Sequence, residues 1–461
     1  MKKVIALLVM VSWMVSMIGC STNTSTTGDV SSETSKTNST ANSSGENETV
    51  TIRLTEYNAS FLPHVKAAVE EYIENAKEKG VIFEWTTGNG GELRTKVQAE
   101  FAAGNPPDLF SWNPGAAFVE LVAADQLVEI HDYFENSTKE GYDINWYEES
   151  AYDGVTLDGE NYWGLPITTQ YTGLIANKTL FEKYDLDYPT TYEELLYCAE
   201  VFRDNGIYAL GIGSKNGNPS QFTFDSILHQ FMDPDYSAGW LTGETKFDCE
   251  EVRLAANYIR EMQEKGVMTD DPVGQGEWTQ CAELFNTEKC AMITVHPWTL
   301  TSITLDTSKI ELIEWWTFPE TKYDPSEWYL GGTHDALVLT KASYEDPKKR
   351  EAMQDFCEWY TSDEVEIERN KDGTMSPRNP QTLSYDVSDY LPELPAAINA
   401  MNATKKGCFY TWGRMPNSSV AVSYQKNFND PLWAGIGTPE EIVSSMQATM
   451  DQAYKDMGYI E

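Results

Sequence analysis

AAGNPPDLFSWNPG, residues 102–115, is the stretch whose reading decides the fold. Gly104 and the pair Pro106-Pro107 end a helix, because glycine accepts the left-handed turn past a helix end and proline cannot continue one. Asp108-Leu109-Phe110 leaves room for only a short strand. Trp112 then stands at that strand's carboxyl end, and Asn113-Pro114-Gly115 keeps it off the next helix. In open α/β sheets, ligands bind outside the carboxyl ends of strands. The position leaves Trp112 two roles: a ring presented to a cleft, or a ring packed between a loop and a helix.

Working outward, Val50-Thr51-Ile52-Arg53-Leu54 alternates apolar and polar residues as a strand does. Val65, Ala68, Val69, Tyr72 and Ile73 follow at helical spacing, and Val81-Ile82-Phe83-Glu84-Trp85 reads as a second strand. Leu93, Val97 and Phe101 mark the helix that Gly104 ends. This β-α-β-α-β order predicts an α/β fold with parallel strands. Later, Thr191-Tyr192-Glu193-Glu194 forms a capping box for a helix that carries Leu195, Cys198, Ala199 and Phe202 on one face. Asp248 and Glu251 are candidate caps for the helix bearing Leu254, Ala255, Tyr258, Ile259 and Met262. Cys290–Val295 and Ala336–Leu339 read as buried strands, and Thr438-Pro439-Glu440-Glu441 opens a last helix. The sequence has no fixed-period repeat.

The chain has 461 residues, a length that suggests two or three domains. Fourteen Trp and 25 Tyr are enough to ask whether some rings serve a ligand instead of a core. The formal net charge of −39 repels polyanions, and no basic cluster is longer than Lys348-Lys349-Arg350, so nucleic acid is not an expected partner. The histidines at 64, 131, 229, 296 and 334 lack metal-ligand spacing, and no CxxC pair or EF-hand loop occurs. No metal or cofactor is expected. Beyond Cys20, six widely spaced cysteines read as mostly buried thiols, with a Cys281–Cys290 bridge as the alternative.

Lys2-Lys3 precede an apolar run from Val4 to Ile18 that is short for a membrane span, which takes about 20 residues. The run ends in Met17-Ile18-Gly19-Cys20, which resembles the lipobox of bacterial lipoproteins. That resemblance implies a signal peptide over 1–19 and a lipid on Cys20 that anchors the chain at the extracellular face of the cell membrane, facing the periplasm if the source has an outer membrane. Residues 21–48 are almost all Ser, Thr, Asn, Gly and Glu, so 20–48 reads as a disordered tether.

"AAGNPPDLF" is similar to the AxGxxPD signature of extracellular solute-binding proteins of ABC importers, in the carbohydrate-binding group related to maltose-binding protein. Other segments resemble that family in order. Asn161–Pro166 resembles its YGLP, and Leu174–Lys178 its LxYNK, with Ala176 where Tyr is usual. Pro189–Leu195 resembles PxTWxEL, with Tyr192 for Trp. Phe285–Met292 resembles FxxGKAAM, lacking the Gly and the first Ala. Gly331-Gly332 and Met375-Ser376-Pro377 fit later positions.

The resemblance implies two α/β lobes, each a mostly parallel sheet flanked by helices, joined by about three crossovers around a ligand cleft. Lobe one is expected over 49–165 and 318–372, and lobe two over 166–317 and 373–461. It implies a monomer that captures a carbohydrate, expected to be an oligosaccharide, by hinge closure and delivers it to the permease subunits of an ABC importer.

Sugars offer flat apolar faces edged with hydroxyls, so a site needs aromatic platforms and directed polar groups. Family-matched positions supply Trp112 and Trp298 as rings, with Gln170 and Tyr171 after the GLP segment. Glu56 and Asn58 follow the first strand, with a turn or helix cap as the other reading. Phe224 and Asp225 match a platform and its polar partner, against helix core for Phe224. His334 and Asp335 reach toward the cleft or cap, and Trp412 and Arg414 complete the set. The alternative function is a secreted glycoside-active enzyme with paired carboxylates. With 72 acidic residues, pairs such as Asp153/Asp158 arise by chance and do not decide it.

Overall fold

The computed structural model describes residues 49–460. The expected signal peptide, Cys20 and tether lie outside the described residues. In chain order the strands are β1 (Val50–Thr55), β2 (Val81–Thr86), β3 (Leu109–Trp112), β4 (Leu165–Tyr171), β5 (Gly173–Asn177), β6 (Tyr208–Gly211), β7 (Cys290–Val295), β8 (Ile310–Ile313), β9 (Trp328–Leu339) and β10 (Lys406–Cys408). A small ribbon, Ser214–Lys215 with Asn218–Pro219, lies between β6 and β7.

The first sheet runs β10-β9-β3-β1-β2, with β4 on β9. β1 is parallel to β2 and β3, as the opening β-α-β-α-β order predicts, whereas β9 runs antiparallel to β3 and β4. The second sheet runs β8-β5-β7-β6, with β6 parallel to β7 and the other pairs antiparallel. Each sheet has its own main core. Ile52, Leu54, Phe110, Val338 and Phe356 belong to the first, and Leu174, Leu210, Phe224, Met292 and Ile259 to the second.

The crossovers fall at other residues than expected. β4 pairs with β9, so the chain leaves the first sheet at Thr172 and not at 166. Phe318 packs in the second core, so the return comes between Phe318 and Trp328. β10 lies in the first sheet although the residues on either side pack with the second lobe, which adds a strap beyond the three crossovers.

Local chemistry explains the elements. The helix Pro63–Glu78 buries Val65, Val69 and Ile73. The helix Gly90–Ala102 stops before Gly104, whose φ is +71°. Thr191 and Glu194 form the expected capping box, and Thr438 and Glu441 form another at the start of the last helix, which has Pro439 in its first turn as expected. The helix Glu250–Glu264 differs: Cys249 sits at its N-cap without a side-chain bond, and Asp248 instead binds Arg253 at 2.6 and 2.9 Å. Asp108 of the opening stretch is a buried anchor that accepts from the Arg53 amide at 2.7 Å and from Lys349 Nζ at 2.9 Å. The six described cysteines are free thiols, and all but Cys249 are buried. Among the described residues, no helix is long and apolar enough to cross a membrane, and no group of three or more His, Cys, Asp or Glu is placed to hold a metal ion.

Candidate ligand-binding cleft

The carboxyl end of β1 leads into a single 3-10 turn, Asn58–Ser60, which leaves Phe61 exposed. In the other lobe, β7 ends at Val295 and His296-Pro297-Trp298 follow. The Phe61 and Trp298 ring centroids are 6.2 Å apart, so a ring from each lobe meets across the seam. From Trp298 the aromatic wall continues through Trp278 at 5.7 Å to His296, 4.6 Å further on. Phe222 lies 4.4 Å from His296, and Tyr410 lies 5.1 Å from Phe222.

Polar groups edge this wall. His334 Nδ1 is 2.8 Å from Asp335, and the Thr168 hydroxyl donates to the same carboxylate at 3.0 Å. The Tyr57 hydroxyl donates to its other oxygen. Burial alone would push the Asp335 carboxyl up, but neighbouring His334 and the two hydroxyls outweigh it and hold the group below the usual carboxylate range. Burial, reinforced by His334, holds the His296 ring well below the usual histidine range, so it is neutral. His296 Nε2 lies 3.1 Å from the Thr172 hydroxyl at the first crossover.

Asn58 Oδ1 and Nδ2, Gln170 Oε1, Trp298 Nε1 and the Tyr410 hydroxyl are buried without a protein partner. A polar group left in that state costs about 1–3 kcal/mol unless a ligand or water satisfies it. The lobes also touch directly. Gly115 has φ +68°, and a Cβ there would overlap the carbonyl of Gly413. Ser418 Oγ donates to Glu120 at 3.0 Å.

The expected residues divide. Trp298 is part of the wall, His334 stands beside His296, Asn58 lies in the turn that leads to Phe61, and Gln170 shares a strand face with Thr168. Trp112 does not: its indole donates to the Ala117 carbonyl at 2.7 Å, its ring packs on Phe110, and 1% of it is exposed. Both faces of β3 are covered, so the strand end offers no open side. Glu56 is a cap. Its carboxylate accepts from the amides of Asn58 and Ala59 at 2.6 and 3.0 Å and from the Tyr360 hydroxyl at 3.0 Å. Phe224 packs on Phe428 inside the second core. Asp225 fastens the strap, accepting from the Thr411 amide at 3.0 Å, from the Thr411 hydroxyl and from Tyr424 at 3.3 Å.

Asp335 braces Tyr57 and Thr168. Tyr171, one residue past Gln170 on β4, points to the opposite face. Trp412 packs on the second core, and the Arg414 guanidinium lies 4.8 Å over the Phe409 ring. Sequence reasoning missed Tyr57, Phe61, Phe222, Trp278, His296 and Tyr410. Phe222 lies two residues before the expected Phe224, and the contacts of His296, Tyr410 and Trp278 with its ring separate the two.

The family profile of bacterial extracellular solute-binding proteins matches residues 58–367. The chain belongs to this family. An uncharacterized ABC transporter extracellular-binding protein of Pyrococcus horikoshii is 25% identical over 175 residues, 37% of this chain and 38% of its own. The diacetylchitobiose binding protein NgcE of Streptomyces coelicolor is 32% identical over 120 residues, 25% of each chain. The solute-binding chain thus spans well under half the length of these relatives in the matched segments. A solved chitin oligosaccharide binding protein superposes with a TM-score of 0.75 at 20% identity, over 89% of this chain and 100% of that one, and shows the two-lobe fold.

Proposed function

We propose that this solute-binding protein captures a neutral oligosaccharide between its lobes, holds it by hinge closure and passes it to the membrane subunits of an ABC importer. The carrying observation is the ring series from Phe61 to Tyr410, which draws on both lobes and runs beside buried polar atoms that lack partners. Rings suit the apolar faces of sugars, and unpaired amide and indole groups suit their hydroxyls. The acid and the imidazole of the wall offer no free charge to an ionic ligand, since Asp335 is occupied by three partners and His296 is neutral; the Arg94 guanidinium lies at the rim, 5.9 Å over the Tyr57 ring.

The same occupancy favours binding without chemistry. Hydrolysis of a glycoside calls for two available carboxyl groups about 5–10 Å apart, whereas Asp335 and Glu56 are spent on structure. Relatives named for chitin oligosaccharide and diacetylchitobiose make N-acetylglucosamine oligomers the first ligands to test. The lipid on Cys20 would hold the molecule at the outer face of the membrane, and the 20–48 tether would let it reach the permease.

The test incubates the full chain with chitin, xylan, cellulose and starch oligosaccharides, and follows thermal shift and sugar composition together. A rise in melting temperature with the sugar left intact is expected. Turnover of any sugar, or no shift with all of them, overturns the reading.

A further inference from the structure

Behind the hinge, on the face of β4 opposite the cleft, is a cavity of about 620 Å³. Alternation along β4 places it there. Thr168 and Gln170 share the face that meets Asp335, so Thr169 and Tyr171 face away. The Thr169 amide bonds to the Met375 carbonyl at 3.0 Å along the edge of β4, and the Tyr171 side chain lines the cavity together with Met375. Its remaining walls come from both lobes. Glu148 belongs to the first, while Asn399 lies on the helix Glu393–Asn402, whose Ile398 packs with Ile175 and Val295 of the second sheet.

The lining has the chemistry of a sugar site. Tyr171, tilted by 54° against Tyr329 with ring centroids 4.6 Å apart, and Tyr385 supply rings, and Leu383 supplies apolar surface. Among the described residues the Glu148 carboxylate and the Asn399 carboxamide find no hydrogen-bond or ion-pair partner, leaving acceptors and a donor free for hydroxyls. The cation on this wall is already used. Arg378 binds Asp363 and the Thr382 carbonyl, with its guanidinium 3.9 Å over the Trp146 ring. An anionic ligand would meet the carboxylates of Glu148 and Asp386, neither of which has a cationic partner among the described residues. The volume lies within the roughly 300–1,000 Å³ range of small-molecule sites.

We propose that this rear cavity is a second carbohydrate site, distinct from the cleft, that takes a neutral sugar of one or two rings. It uses Glu148 and Asn399 for hydroxyls and Tyr171 for the ring face. Its walls straddle the crossover at Thr172, so it belongs to the hinge and not to either lobe alone.

The test is saturation-transfer NMR on the full chain with N-acetylglucosamine, xylose and glucose at millimolar concentration. Wild type is compared with Trp298→Ala in the cleft and with Glu148→Ala/Asn399→Ala at the rear. Both altered rear positions are solvent-accessible, and circular dichroism checks that each variant is folded. At least one monosaccharide is expected to bind wild type, to persist in Trp298→Ala, and to lose at least tenfold in affinity in the rear double variant. A Tyr171→Leu variant, which keeps the bulk but loses the ring, is expected to weaken the same signal. The proposal is overturned if no monosaccharide binds, if the signal vanishes with Trp298→Ala, or if the rear variants titrate like wild type. Oligosaccharide binding at the cleft is scored separately by thermal shift, so loss of the rear site leaves the cleft reading standing.

Discussion

Phe61 and Trp298 lie in different lobes and meet with ring centroids 6.2 Å apart. Trp298 also touches Trp278 and leaves its indole nitrogen without a protein partner. A ring held by neighbours, with its polar atom unused, suits a ligand platform. Trp298→Ala is expected to weaken oligosaccharide binding by about 30-fold, on the order of 2 kcal/mol, with little change in melting temperature. Trp112→Ala is expected to do the reverse, removing about 3–5 kcal/mol of stability because it empties a core position. Calorimetric titration and thermal melts on the two variants separate these outcomes. Equal affinity loss in both would mean that Trp298 is only core.

Asp225 gives the fold a pH dependence. Burial pushes its carboxyl up to about 7, despite the bonds from Thr411 and Tyr424. The unfolded chain releases that proton near 3.8, so between 3.8 and about 7 the native state holds a proton that the unfolded state has lost. This contribution is fully present below 3.8 and declines as pH rises to about 7, after which it is flat. Relative to Asp225→Asn, wild type is expected to lose up to a few kcal/mol across that window. Chemical denaturation of both proteins from pH 4 to about 8 checks it. A constant gap between them across the range would refute the assignment.

Glu56 is expected to act on the cleft from a distance. Its carboxylate holds the amides of Asn58 and Ala59, the turn that sets up Phe61, and Tyr360 ties it to the buried Arg369. Glu56→Gln keeps the shape but removes one acceptor oxygen, leaving a buried amide unpaired at about 1–3 kcal/mol. A lower melting temperature and a severalfold faster ligand release are expected together, with Glu56→Asp no better because it is too short to reach. Stopped-flow release rates measured well below the melting transition isolate the second effect.

How much was legible in the sequence depended on how locally each feature is determined. Capping boxes at Thr191 and Thr438, the break at Gly104 and the strand periods are short-range effects, and the structure has them where the residues put them. The family is legible for a similar reason, because its motifs are contiguous. The site was less readable. Trp112 and Phe224 stand at the ends or faces of elements that elsewhere reach a cleft, but here Phe110 and the Ala117 carbonyl take up the Trp112 indole and Phe428 covers the Phe224 ring. Glu56 could have met a sugar as well as a backbone amide, and only the turn at Asn58 settles that. The strap itself was not readable, since β10 is three residues long and pairs with a strand far away in sequence.

The contact between Gly115 and Gly413 makes a direct test of closure. Gly115 joins the first lobe's β3 to a short 3-10 turn, and Gly413 sits on the strap beyond Asp225's hold on Thr411. Any side chain at 115 would strain φ +68° and overlap the Gly413 carbonyl. Gly104 shares nearly the same backbone angle, φ +71°, but has open space where its Cβ would lie. Gly115→Ala and Gly104→Ala should therefore lose similar backbone energy, about 1 kcal/mol. Only Gly115→Ala should also push the lobes apart. Small-angle scattering with saturating oligosaccharide is expected to show compaction in wild type and Gly104→Ala, and less of it in Gly115→Ala, whose affinity falls accordingly. Identical compaction in all three proteins would mean that the Gly115–Gly413 approach plays no part in holding the lobes together.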